Sequence, residues 1–187
     1  LKDFVLDGLE APVEAGFQRA LTALGKAGVT LTDMAFPELR DIPSINSKGG
    51  VVAAEGYHHH RRQIVARGAE YDSRVRTRLI LAEGISAAEY LDYFVRRRDM
   101  IAALASRFVG VDAVVWPTTL NTPPAIADLK ADLDYLRFNA MSLRNTYVGN
   151  FLNGCAISIP MHAPGAAPAG FMLFAPWGFD RQLLDAA

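Results

Sequence analysis

From Ser86 to Pro117 the sequence leaves the backbone few choices. Ser86 is followed three residues later by Glu89, the reciprocal arrangement that caps a helix N-terminus. The pattern predicts a long helix running to about Arg107, with Leu91, Phe94, Ile101, Leu104 and Phe108 as its buried stripe and Gly110 at its end. The next run, Val111–Trp116, is short and apolar and stops at Pro117, which predicts a buried strand. Thr118, Thr119 and Asn121 then stand at the C-terminal end of that strand, where open α/β sheets place ligand-contacting groups. A capped helix, a glycine and a buried strand are the rhythm of an α/β protein.

The flanking segments fit that class. Asp3–Leu9 reads as a strand or turn. Pro12 and Glu14 open a helix carrying Phe17, Ala20, Leu21 and Leu24, closed by Gly25 and Gly28. Val29–Thr32 alternates and is β-branched, which predicts a strand. Pro37 and Pro43 bracket a loop, and helices are expected over Ser47–Arg67 and Tyr71–Ala82. Leu133–Leu152 reads as helix, Ala156–Ile159 as a second buried strand, and Ala169–Phe174 as a third. Asp180–Ala187 reads as a terminal helix with Leu183 and Leu184 inward.

Composition narrows the function. The chain of 187 residues is 51% hydrophobic and carries 19 Lys and Arg against 20 Asp and Glu, as a packed globular chain does. The balance gives no reason to expect nucleic acid or a membrane as partner, and no apolar run reaches the length of a span. The single Cys155 excludes an internal disulfide and suits the cytoplasm. Arg61 to Arg107 holds ten arginines, densest at Arg96-Arg97-Arg98, with six acids interspersed; a solvated helix face is the simplest account.

No self-sufficient catalytic set emerges. His58-His59-His60 are adjacent and so point about 100° apart on a helix, whereas ligands on one face need spacing of three or four. No metal and no cofactor is therefore expected. There is no G-x-S-x-G elbow, and Lys48-Gly49-Gly50 is too short for a phosphate loop. Cys155, between Gly154 and a strand, reads as a small core residue.

The last third adds a resemblance. Trp116-Pro117-Thr118-Thr119, then Asn145-Thr146 with Asn150, then Ala156-Ile157-Ser158-Ile159-Pro160, then Pro168-Ala169-Gly170-Phe171-Met172, and then Asp180 before Leu183-Leu184, run in order along it. Upstream stand Val75-Arg76-Thr77-Arg78-Leu79, Gly84, Ser86, Glu89-Tyr90 and the arginines at 96–98. Together they resemble the C-terminal portion of amidase signature family enzymes, which include amidases and the A-type subunits of glutamyl-tRNA(Gln) amidotransferases. The resemblance implies an α/β fold, a mixed β-sheet covered by helices, with residues 1–187 forming the C-terminal portion of one amidase domain. It implies acyl transfer from a small-molecule amide by a Ser–Ser–Lys set. None of that set matches a position here, and the chain holds no Gly-Gly-Ser-Ser-Gly-Gly stretch, so no catalytic residue is assigned. The chain opens on Leu1, and we expect the catalytic portion upstream, with this part inactive alone and prone to pair with itself as a homo-oligomer.

The same resemblance assigns candidate substrate-binding residues. Arg78 matches a position where amidotransferase members bind a substrate carboxylate; it is either that or a helix ion-pair residue. Tyr57 and Tyr71 either line the cleft or pack at its rim. Thr146 and Asn150 either touch substrate or brace backbone. Leu143 stands where glutamine-using members place an acid, so a glutamine pocket is not expected, and Cys155 replaces a common proline. The alternative is a non-catalytic binding or oligomerisation module presenting its arginine-rich helix.

Overall fold

The computed structural model describes residues 1–187, which divide into two compact units: residues 1–40 with 101–187, and residues 41–100. The first unit is built on three antiparallel strands. They are β1 (Val114–Pro117), β2 (Cys155–Pro160) and β3 (Gly170–Ala175), in the order β1-β3-β2. Trp116 stands opposite Met172, and Met172 opposite Ser158.

β3 is central and almost wholly buried, while β2 lies at an edge with Ala156, Ser158 and Pro160 exposed. The expected second buried strand is therefore a half-exposed edge strand. Its short apolar run does not report that its outer backbone has no partner strand.

Helices cover both faces. Because side chains alternate along a strand, Phe171 and Phe174 point to opposite sides of β3. Phe171 meets Phe17 of α1 (Ala11–Lys26), ring centroids 5.5 Å apart. Phe174 packs on Trp116 at 5.1 Å and faces Gly149 of α6 (Asp132–Phe151), where an added Cβ would lie 3.5 Å from its ring. α6 ends in a Schellman arrangement: Asn153 adopts φ 55°, and the Gly154 N–H donates to the Gly149 carbonyl at 3.3 Å. That turn delivers the chain into β2. The terminal helix, Asp180–Ala186, buries Leu183 but leaves Leu184 exposed, which corrects the expected inward pair.

Val29–Thr32 forms no strand; Val29 and Leu31 are both exposed. The alternation suits a pleated surface, but the segment pairs with no strand.

The second unit holds α3 (Gly50–Arg67), α4 (Ser73–Ile80) and the first two-thirds of α5 (Ala87–Arg107), with the short helix α2 (Ile42–Ile45) before them. The helix expected from Ser47 starts three residues later. Gly49 and Gly50 both take left-handed backbone, φ 84° and 62°, a conformation that suits glycine and delays the first helical turn. α5 begins as the capping box predicts. The Glu89 N–H donates to Ser86 Oγ at 3.1 Å, and the Ser86 N–H donates to Glu89 Oε2 at 2.8 Å.

Its buried line, however, runs Tyr93, Met100, Leu104 and Phe108, while Leu91 and Phe94 are 64% and 41% exposed. The buried face is thus turned by about one residue, some 100°, from the expected one over the first half of the helix.

Candidate functional site

The first unit presents a groove of about 480 Å³ at the end of its sheet, where β1 and β2 leave and β3 enters. That volume lies in the range of small-molecule sites. Its walls are stiff: Pro123, Pro124, Pro160 and Pro168 line it.

Its polar groups come from four segments. Thr118 Oγ1 and Ser158 Oγ share a hydrogen bond at 2.5 Å. They meet across Gly170, where an added Cβ would come within 2.5 Å of the Ser158 hydroxyl and 2.6 Å of the Thr118 hydroxyl. Glycine at 170 is what allows the pair. Ser142 Oγ donates to Asn121 Oδ1 at 3.2 Å, and Thr119 Oγ1 donates to the Asn121 carbonyl at 2.9 Å. On the opposite wall, the Ala169 N–H lies 3.3 Å from His162 Nδ1. The same nitrogen lies 3.3 Å from the Ala169 carbonyl, so His162 can accept from one backbone group of Ala169 or donate to the other.

Two side chains behind the groove fix its floor. Asn145 is fully buried on α6, and its Nδ2 donates to the Val5 carbonyl at 2.9 Å and the Pro117 carbonyl at 2.7 Å. Glu10 stands at the start of α1, yet it makes no side-chain cap there. Its Oε2 accepts instead from the Thr122 N–H and the Thr122 hydroxyl, both at 2.9 Å, while its own N–H donates to the Leu120 carbonyl at 2.8 Å.

The second unit holds a smaller cavity of about 210 Å³, lined among others by Lys48, Glu89, Tyr93 and Arg96. Lys48 Nζ donates to Glu89 Oε1 at 2.7 Å and to the Gly84 carbonyl at 2.9 Å. The Lys48 ammonium, followed by the Ser86 backbone N–H, holds the Glu89 carboxyl down to about 2. This is a folded ion pair closing the capping box.

The residues expected at the site fall in both units. Tyr57, half-buried on α3, has its ionisation pushed up first by burial and then by its hydrogen bond to Glu83. Tyr71, in the turn before α4, donates to Gln63 Oε1 and meets His60 Nδ1, each at 2.9 Å. Arg78 is half-buried in the last turn of α4. These three share the unit of residues 41–100, whereas Thr146 and Asn150 lie on α6 in the other. Thr146 Oγ1 donates to the Leu143 carbonyl at 3.0 Å, and Asn150 is exposed.

The histidine run is dispersed: His58 Nδ1 pairs with Arg61 and His60 with Tyr71. Cys155 Sγ lies 3.5 Å from the Pro176 carbonyl, and burial, then the Asp180 charge, push its thiol up.

Glu10, Asn145, Ser158, Gly170 and His162 were not singled out as site residues from the sequence. Two of them carry a local signal. Glu10 is an acid at a helix start that favours shorter caps, and Asn145 is an amide on the same helix face as Val148 and Leu152, both buried. A buried amide has to spend its hydrogen bonds on something.

Comparison with known proteins accounts for this architecture. The amidase family model matches residues 1–184. The 2-amino-5-chloromuconic acid deaminase of Comamonas testosteroni is 27% identical over 186 residues, 97% of this chain and 39% of that protein. The A-type subunit of the glutamyl-tRNA(Gln) amidotransferase of Thermus thermophilus is 27% identical over 204 residues, 97% of this chain and 42% of its own length. Among solved structures, an amidase superposes with TM-score 0.79 at 18% identity, covering 97% of this chain and 42% of that one. The Kluyveromyces lactis urea amidolyase gives 0.84 at 19% identity, covering 98% of this chain and 11% of that one. The chain therefore spans about two-fifths of the length of these two curated relatives. With the family model matched along nearly its whole length, this chain belongs to the amidase family.

Proposed function

We propose that these residues are the C-terminal portion of one amidase domain and supply substrate-pocket walls to an enzyme that cleaves the C–N bond of a small-molecule amide. The nucleophile and the general base come from outside the 187 residues. The family match over residues 1–184, within two-fifths of the relatives' length, carries the reading. A largely apolar, proline-walled groove at a sheet end, with a few hydroxyl and amide groups in it, supports it, because orientation of the amide is what such walls contribute to acyl transfer. The protein has no helix long and apolar enough to cross a membrane. We place it in the cytoplasm on the strength of its single Cys155.

Within this reading Arg78 pairs with a substrate carboxylate, Tyr57 and Tyr71 of the same unit line the cleft, and Thr146 and Asn150, on α6 of the other unit, brace backbone. The test uses the protein with its upstream portion. Arg78→Ala, assayed on a matched pair of charged and neutral amides, should lose about 1.5–3 kcal/mol on the charged one alone, the range for hydrogen bonds to charged groups. Equal loss on both, with a lower melting temperature, makes Arg78 a structural ion-pair residue.

A serine-directed covalent probe tests the assignment of the nucleophile. The 187-residue chain should stay unlabelled. Stoichiometric labelling with turnover would put the nucleophile inside it. An inert protein that assembles through the arginine-rich helix, even with its upstream portion, would favour a binding or oligomerisation module.

A further inference from the structure

The segment Pro117–Thr122 floors the groove, and nearly every residue in it is tied down. Pro117 is held by Asn145, Leu120 and Thr122 by Glu10, Thr118 by Ser158, and Asn121 by Thr119 and Ser142. Two of these ties are unusual in where they are spent. Glutamate is not a favoured helix N-cap, and Glu10 leaves the first turn of α1 without a side-chain acceptor in order to reach Thr122, 112 residues away. Asn145 spends a fully buried amide on two backbone carbonyls, those of Val5 and Pro117. Neither residue lines the groove.

We infer that Glu10 is a positioning residue: its carboxylate, working with the Asn145 amide, holds the Thr118–Thr122 loop in the one shape that sets Thr118 and Thr119 along the groove. This rests on the reading of the groove as a wall of the amide pocket. The carboxylate supplies two bonds through one oxygen, to the Thr122 N–H and hydroxyl, so it fixes both the backbone and the rotamer of that residue. Without it the Thr122 end of the loop loses its side-chain anchor and is free to shift.

Three substitutions in the 187-residue chain, and in the amide-hydrolysing protein that carries it, test the inference. Glu10→Ala removes the acceptor, Glu10→Gln keeps an uncharged one, and Thr122→Val removes only the hydroxyl. Hydrogen exchange across residues 118–122 of the chain reports the loop directly. Glu10→Ala should speed exchange there, Thr122→Val should do so less, and Glu10→Gln should restore protection.

In the hydrolase, a misplacement on the order of 1 Å can cost about 10²-fold in rate. Glu10→Ala should therefore raise KM or lower kcat per folded active site, with Glu10→Gln rescuing. A purely structural role behaves otherwise: it lowers the melting temperature and the folded fraction, leaving KM and the turnover of each folded site unchanged. That result, or wild-type exchange at 118–122 in Glu10→Ala, overturns the inference. A wild-type protein without amide hydrolysis would overturn the proposed function instead, and the exchange measurement would still decide the clamp.

Discussion

Asn145→Ala is the sharpest single perturbation the first unit offers. Asn145, Val5 and Pro117 are all fully buried, so water cannot take over the bonds that the amide makes at 2.9 and 2.7 Å. A buried acceptor left without its donor costs about 1–3 kcal/mol, which puts the loss of both at about 2–6 kcal/mol before any cavity is counted. That is a large share of the total stability of a domain.

Urea unfolding followed by Trp116 fluorescence is a suitable assay. Trp116 is buried beside Phe174 in the same unit, while Trp177, the other tryptophan, is 79% exposed and contributes little change. Asn145→Asp refines the test. A carboxylate cannot donate to two carbonyls, and full burial raises its folded pKa above the unfolded value of about 3.9, against the opposing pull of the Arg144 Nε 3.5 Å from the Asn145 oxygen. The protonated form keeps one donor. The sign follows: relative to wild type, Asn145→Asp is least destabilised below about pH 4 and loses stability as pH rises through the folded pKa. A cost under about 0.5 kcal/mol for Asn145→Ala, the level of an ordinary surface change, would refute the reasoning.

Gly170→Ala should cost about 1–3 kcal/mol, because its Cβ would press on the Thr118 and Ser158 hydroxyls; adding Ser158→Ala should return part of that in a double-mutant cycle. In the second unit the Glu89 carboxyl is held at about 2 against an ordinary 4.5. Its contribution is complete above pH 4.5 and is lost as pH falls toward 2; amide protection at the first turn of α5, taken relative to the intrinsic exchange rate at each pH, should fall over that window, and Lys48→Met should move the onset to higher pH. Cys155, with its thiol pushed up by burial, should alkylate more slowly at about pH 7.5 than a free cysteine and catch up only when the chain is unfolded; rapid labelling of the native chain would contradict its packing.

Local chemistry was legible and long-range chemistry was not. The capping box at Ser86 and Glu89 forms as read because its two partners are three residues apart and need nothing else. Arg107 as the end of that helix was legible for the same reason. The phase of the buried stripe was not. α5 carries apolar or aromatic residues at 90, 91, 93, 94 and 95, so several faces qualify, and tertiary packing selects the one through Tyr93 and Met100. Val29–Thr32 fails for a related reason. β-propensity describes a side chain suited to a pleated surface, and a strand also requires a neighbour.

The groove shows where the boundary of sequence reading lies. Its placement beyond β1 follows from the run Val111–Trp116 stopped by a proline, so Thr118, Thr119 and Asn121 could be pointed to in advance. Their partners could not. Ser158 reaches Thr118 from 40 residues away because β3 lies between β1 and β2 in the sheet, and Glu10 reaches Thr122 across 112. Neither separation has a period or a motif. The sign that did exist was chemical: an amide at 145 on a buried helix face, and an acid at 10 at a helix start that favours shorter caps. Both are residues whose local environment does not account for them. In this chain such misfits mark the polar frame of the groove, because a buried or misplaced polar group persists only where a distant backbone has need of its hydrogen bonds.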